Sequence, residues 1–198
     1  MVEDLVSSLG LFILFVLIAM ESAGIPLPGE TALVAAGVLA ARGRLDIVAV
    51  IVVAAAAAIV GDNAGYWIGR TYGRRILTRW RWLERYASRA LPWSERFFRK
   101  HGAKTIFIGR FVAVLRVTAA WLAGVSRMEW WRFFLWNAAG GICWAVLVGL
   151  VAYYAGHAAA EAIGQYGLFG ALAVIVVAAA VWLGFRAWRR RQLAAEEG

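Results

Sequence analysis

Long apolar stretches alternate with short polar segments along most of the chain. Residues 133–156 and 166–185 carry no Asp, Glu, Lys or Arg, and crossing a hydrocarbon layer of about 30 Å takes about 20 helical residues. Residues 46–69 qualify apart from two aspartates, and residues 5–20 form a further apolar helix that we expect to be retained. The pattern predicts an all-α polytopic membrane protein with about four transmembrane helices.

The first apolar helix ends at Glu21 and is followed by a segment that breaks helical structure. Pro26 and Pro28 lie in this segment, and proline cannot sit inside a regular helix without breaking its hydrogen bonds. Residues 31–41 are apolar again but are too short to span a membrane. This combination predicts a re-entrant helical hairpin, which is tolerated at membrane depth only when it is buried in protein or lines a wet cavity.

The second unusual segment, residues 105–126, is apolar but contains Arg110 and Arg116. A guanidinium near the centre of a bilayer costs from about 2.5 to over 10 kcal/mol, so two of them in one segment suggest a use. Six residues of regular helix would place them about 120° apart, and both reach one site only if the backbone bends. We therefore predict a second re-entrant hairpin, opposed to the first.

Positive charge is concentrated rather than scattered. The chain has a net charge of +9, and residues 70–104 hold 11 of its 21 Lys and Arg. Because basic and aromatic residues interleave there, these residues are predicted to form a cytoplasmic amphipathic segment at the headgroups. Positive-inside topology thus explains the charge better than nucleic acid does, and it predicts that both termini are cytoplasmic.

An internal repeat supports two related halves. Ala36-Gly37-Val38 and a later Tyr66-x-x-Gly69 recur 87 residues on as Ala123-Gly124-Val125 and Tyr153-x-x-Gly156. A hairpin-plus-span unit entering from each side is the inverted repeat of secondary transporters. The sequence thus predicts a single membrane domain over residues 1–198. Its first half contains a helix, the first hairpin and a span (1–69), and the amphipathic segment (70–104) follows. Its second half contains the second hairpin and a span (105–156), and then come a final span (166–186) and a basic tail (187–198).

The charged residues in these apolar surroundings carry the candidate chemistry. Arg110 and Arg116 call for either an anionic ligand, such as phosphate, or acidic partners within the chain. Glu21, Glu30 and Asp62 are the candidate partners, and carboxylates in such an environment can exchange protons. Supporting interhelical hydrogen bonds are expected from Tyr66 and Asn137. Two isolated histidines and one cysteine do not form a metal site, and no cofactor is expected.

These residues together resemble the DedA family of membrane proteins, also described through a SNARE-associated or VTT domain. The resemblance rests on Glu21 with PLPGE ending at Glu30, Gly61-Asp62, Tyr66-x-x-Gly69-Arg70, Gly109-Arg110-Phe111 with Arg116, Ala123-Gly124, Met128, Phe133, Asn137, Gly141 and Trp144. It implies two opposed re-entrant hairpins and lipid translocation, with functional acids and arginines at Glu21, Glu30, Arg110 and Arg116. The family usually has a proline between the two arginines, where this chain has Ala113.

The resulting hypothesis is a lipid-phosphate flippase of the bacterial inner membrane, for undecaprenyl phosphate or a phospholipid, in which Arg110 and Arg116 bind the headgroup. Protons would couple through Glu21, Glu30 and Asp62. The alternatives are a proton-coupled transporter of a small organic ion, a gradient-independent phospholipid scramblase and, less favoured, a membrane lipid phosphatase. An enzyme is not expected, because no nucleophile or metal cluster accompanies the arginines. The expected partners are a lipid with an anionic headgroup and protons, and a homo-oligomer is an open alternative.

Overall fold

A computed structural model describes residues 2–25, 27–79, 104–111, 113–161 and 176. In these ranges the chain forms six α-helices and no β-strand, so the predicted all-α class holds there. Pro26, most of the predicted amphipathic segment, the final span apart from one residue, and the basic tail lie outside the described residues.

The first two helices, α1 (Val2–Ser22) and α2 (Gly29–Ala41), are separated by a short break. Gly24 has a φ of 109°, its N–H bonds Glu21 O at 3.0 Å, and the N–H of Ile25 bonds Met20 O at 3.0 Å. This paired arrangement is the Schellman motif, which ends a helix by satisfying its last carbonyls. Pro28 directly precedes α2, where a missing N–H costs no intrahelical hydrogen bond.

A second break separates α4 (Lys104–Gly109) from α5 (Ala113–Val125). Arg110 and Phe111 form a turn in which their N–H groups bond carbonyls three residues back, Phe107 O at 3.3 Å and Ile108 O at 3.1 Å. The helix is therefore interrupted between Arg110 and Arg116, as their spacing predicted, although residue 113 is alanine and not the proline usual in the family. The ends of α1 and α4 are 87 residues apart, as in the repeat predicted from the sequence.

In the part of the chain that the structure describes, two helices are long and apolar enough to cross a membrane: α3 (Ile47–Arg79) over residues 47–73, and α6 (Trp130–Glu161) over its whole length. The predicted span 47–69 lies within α3, but the helix continues through Arg70 to Arg79. Four glycines spaced four residues apart, Gly61, Gly65, Gly69 and Gly73, line one face and contact α1 or α5. Glycine normally destabilises the interior of a helix. Here the glycines allow close packing against neighbouring helices, and this packing explains why α3 is continuous.

The two halves of the chain pack against each other reciprocally. A Cβ on Gly37 of α2 would lie 3.1 Å from Gly149 O and 3.4 Å from Tyr153 N of α6. A Cβ on Gly124 of α5 would overlap Tyr66 O of α3. Each glycine of the repeated Ala-Gly-Val motif thus packs against the Tyr-x-x-Gly helix of the other half, at a distance that only glycine allows.

Two buried clusters form the interior of the described bundle. The larger joins α1, α2, α3 and α6 through residues such as Ile18, Leu33, Ala54 and Trp144. The smaller joins α3, α4, α5 and α6 and is centred on Tyr66. Along α3, Asp62 lies between the two clusters, so its charge is buried between two apolar cores.

The outer surface of the bundle is strongly apolar. Exposed large side chains occur on most of the helices; they include Phe12, Val48, Val52, Leu147 and Val151. Contiguous apolar patches of this extent are uncommon on soluble monomers and mark contact with a membrane or a partner.

Candidate functional site

The most deeply buried charges are Arg110 and Asp62. Arg110 stands in the turn after α4, and its Nη1 lies 2.6 Å from Asp62 Oδ2 in the middle of α3. Their side chains are only 4% and 6% exposed. Gly140 and Gly141 of α6 lie beside the Arg110 side chain, and a Cβ on Gly141 would be in ordinary van der Waals contact with Arg110 Nη2, at 3.5 Å. The pair is therefore held between α3 and α6.

This pair does not use all of its hydrogen-bonding capacity. Among the described residues, Asp62 Oδ1 and the Nε and Nη2 atoms of Arg110 are buried without a hydrogen-bond partner, as is Asn137 Oδ1. Buried polar groups are nearly always satisfied, so such atoms require an explanation. Asp62, Arg110 and Arg116 line one small cavity of about 10 Å³, together with Ile106, Ala119, Ala120 and Phe133; that volume is close to the requirement of one water molecule.

Arg116 of α5 joins the two halves of the chain. Its Nη1 lies 3.0 Å from Glu30 Oε2, and its Nη2 donates to Glu21 Oε1. The other oxygen of Glu21 accepts the backbone N–H of Glu30 at 3.0 Å. Glu21 thus contacts both Arg116 and the start of α2, where the helix dipole favours negative charge.

The two arginines differ in accessibility. The side chains of Arg116 and Glu21 are 15% and 14% exposed, and that of Glu30 is 55% exposed. The guanidinium carbon of Arg116 also lies 5.6 Å from the ring centre of Trp144, within cation–π range. Arg116 is the outer and Arg110 the inner cation of the site. Together with their three carboxylates they carry a formal charge of −1.

The structure thus brings together the five charged residues that the sequence singled out. Each carboxylate pairs with one of the two arginines, and both arginines line the same cavity. Two other predicted residues make hydrogen bonds nearby. Asn137 of α6 donates to Ile59 O of α3 at 3.4 Å, which is the predicted interhelical contact. Tyr66 donates to Met128 O at 2.5 Å, which lies in the loop between α5 and α6 and not in a helix. Pro28 lies at the first break.

Sequence reasoning assigned no role in this region to three further residues. Arg70 donates to Tyr66 Oη at 2.6 Å and to Met128 O at 3.0 Å, and its position four residues after Tyr66 is a helical spacing that could have indicated the contact. Trp121 donates to Ala23 O at 3.1 Å and so links α5 to the first break. Trp144 lies under Arg116; no local signal indicates either tryptophan contact, because the partners are distant in sequence.

Known proteins are similar to this chain over most of its length. A sequence model of the VTT domain matches residues 27–157. An uncharacterized membrane protein of Synechocystis sp. is 39% identical over 155 residues, which cover 78% of this chain and 71% of the relative. One of Mycobacterium tuberculosis is 38% identical over 165 residues, covering 81% and 75%. No solved structure matches the chain significantly.

The protein called DedA of Escherichia coli strain K12 is 33% identical over 132 residues, covering 66% of this chain and 60% of that protein. The VTT match covers more than half of the chain, and the relatives are named as membrane proteins. The chain therefore belongs to the VTT-domain, or DedA, family of membrane proteins.

Proposed function

We propose that this protein moves a lipid with an anionic phosphate headgroup across the bacterial plasma membrane, and that this movement is coupled to protons. The observation that carries the proposal is Arg110, a buried arginine with two unpartnered donors, which shares a cavity with Arg116 and Asp62 beside the second helix break. Intramembrane ionisable groups of this kind mark substrate or ion pathways.

The chemistry of the two arginines fits a phosphate. A guanidinium stays protonated and presents a planar fork of donors that matches phosphate oxygens. Arg110 Nε and Nη2, two adjacent donors of one fork, are both unpartnered. A headgroup phosphate could accept from both, while its apolar chain stays in the lipid against the apolar outer surface of the bundle.

In this proposal the first break with α2 and the α4–α5 pair are opposed re-entrant hairpins. The spans are then α1, α3, α6 and residues 166–185, with both termini cytoplasmic. The reciprocal packing of Gly37 and Gly124 against the opposite halves supports an inverted repeat. Transporters built on inverted repeats bind substrate near the membrane midplane, where broken helices meet.

Movement of the hairpins is part of the proposal. The cavity beside Arg110 has room for about one water molecule, so a phosphate can reach Arg110 only when the surrounding helices separate. Glu21, Glu30 and Asp62 hold the arginines in the absence of substrate. As the headgroup displaces these carboxylates, they become the groups that exchange protons. Such a protein would act as a carrier and not as an enzyme.

The test is transbilayer movement of a lipid phosphate in liposomes containing the purified protein. A fluorescent or chemically reducible lipid phosphate would be followed with and without a pH gradient. Arg116→Ala should slow movement about 10- to 100-fold, because each hydrogen bond to a charged group contributes about 1.5–3 kcal/mol. The matched control is Arg132→Ala, which removes an exposed arginine in the first turn of α6 that pairs with exposed Glu129 just before the helix.

The outcomes separate the alternatives. Movement that depends on Arg116 and responds to the gradient supports the proposal. Arg116-dependent movement without a gradient response indicates a scramblase, and absence of any lipid movement favours a transporter of a small organic ion. Release of inorganic phosphate from the lipid would instead indicate a phosphatase.

A further inference from the structure

The three carboxylates of the site differ in whether they have a free oxygen that can take a proton. Both oxygens of Glu21 are already engaged, one by Arg116 and the other by the N–H of Glu30. Asp62 accepts one bond, from Arg110 to Oδ2, and its Oδ1 is buried without a partner. A proton added at Oδ1 would break no existing hydrogen bond, whereas on Glu21 it would remove an acceptor.

Burial separates Asp62 from Glu30. The Glu30 side chain is 55% exposed on the surface of the bundle, so its charge is not enclosed by the protein when Arg116 leaves it. Asp62 is 6% exposed and lies between two apolar clusters. If an anion took Arg110 away from it, Asp62 would remain as an unpaired buried carboxylate, which is among the most costly arrangements in a protein.

The charge of the site also favours the uptake of a proton when an anion binds. The inner pair of Arg110 and Asp62 is neutral, and the whole site is already at −1, so an incoming anion raises its negative charge further. Uptake of one proton restores the charge of the resting site. The charged groups that line the cavity with Asp62 are Arg110 and Arg116; its other lining residues, from α4, α5 and α6, are uncharged.

We propose that Asp62 is the proton acceptor of this site: when an anion binds Arg110, Asp62 releases the guanidinium and takes one proton at its free oxygen. Arg110 remains a cation and passes from the carboxylate to the anion, and the proton comes from water. Release of the anion reverses both changes. This inference rests on the proposed function, and it narrows the coupling group to one residue.

The decisive variant is Asp62→Asn, which mimics the protonated carboxylate. In liposomes, the steady-state distribution of lipid phosphate should shift about tenfold per unit of pH difference for the wild type, as coupling to one proton requires. Asp62→Asn should still move the lipid but show no shift. Asp46→Asn is the matched control immediately before the same helix, because the exposed side chain of Asp46 accepts only the N–H of Ala49 in the described structure. This variant should behave like the wild type.

A second measurement includes a test on the wild type alone, which does not depend on how well any variant folds. Binding of a short-chain lipid phosphate to the detergent-solubilised wild type would be measured calorimetrically in buffers that differ in ionisation enthalpy. We expect uptake of about one proton per bound phosphate, against nearly none for Asp62→Asn and about one for Asp46→Asn.

The possible failures are distinct. If the wild type neither binds nor moves lipid phosphate, the proposed function itself is wrong. If the wild type binds the phosphate without taking up a proton, or if Asp62→Asn keeps the full pH response, the proposed function stands and the role of Asp62 is overturned.

Discussion

Arg110 and Asp62 form an ion pair at 2.6 Å although 48 residues separate them in sequence, and both side chains are almost fully buried. Arg110 stands in a turn between two helices, while Asp62 belongs to the middle of a long helix. The break in the second helix pair is therefore what places the guanidinium against α3.

Removing one member of this pair should be more harmful than removing both. Asp62→Leu leaves the buried charge of Arg110 without compensation, a change that typically costs about 3–5 kcal/mol, whereas apolar replacement of both partners is often close to neutral. We expect Asp62→Leu with Arg110→Met to unfold at a higher temperature than either single variant. Thermal unfolding in detergent would show this, and a double variant less stable than both singles would contradict it.

The contact between α5 and α3 should tolerate no side chain at Gly124. A Cβ there would overlap Tyr66 O and would lie 2.8 Å from Arg70 N, both backbone atoms that cannot rotate away. Gly124→Ala is expected to cost about 1–3 kcal/mol through overpacking. Gly10→Ala is the control, since no atom lies within 4 Å of its added Cβ. Equal stability of the two variants in denaturant unfolding would refute the close packing.

Tyr66 should contribute a specific hydrogen bond in addition to its packing. Its hydroxyl donates to Met128 O and accepts from Arg70, while its ring stacks on Phe133 at 4.6 Å between centroids. Tyr66→Phe keeps the stacking and should lower stability by about 0.5–1.5 kcal/mol. The same change at exposed Tyr72 of α3 should have little effect, and an equal loss at Tyr72 would argue against this role.

Embedding of α6 in the membrane can be tested with the one native cysteine. Cys143 is exposed on the surface of the bundle, so in the membrane we expect lipid to cover it and to exclude charged reagents. In permeabilised membranes, a membrane-impermeant maleimide should leave Cys143 unmodified until the protein is denatured. Arg42→Cys, in the exposed turn after α2, should react at once. Labelling can be read by mass spectrometry, and rapid modification of native Cys143 would place this part of α6 in water.

The sequence predicts local breaks well where a single residue type causes them. Pro28 and the glycines around it indicated the end of α1 and the start of α2. The sequence predicts a span that ends at Gly69, because arginines follow it. Helix α3 continues beyond this residue, and Gly73 extends the face that packs against α5. Propensity could not reveal this, because the stabilising contacts come from α5.

The sequence predicts which charged residues form the site better than it predicts which carboxylate pairs with which arginine. Charged residues in apolar segments are conspicuous, so all five candidates could be named in advance. Which carboxylate meets which arginine depends on the packing of helices that lie up to 95 residues apart in sequence. That Arg110 would bind Asp62 while Arg116 binds two glutamates follows from the turn at Arg110, whose direction is set by tertiary contacts.

The engagement of Arg116 by two internal carboxylates has a consequence for turnover. Any anion that reaches Arg116 must compete with Glu21 and Glu30, so it gains only the difference between its own contacts and theirs. The tethered carboxylates also rebind the guanidinium as soon as the anion leaves, because their local concentration is high. Such a site is better adapted to rapid release than to storage of its ligand.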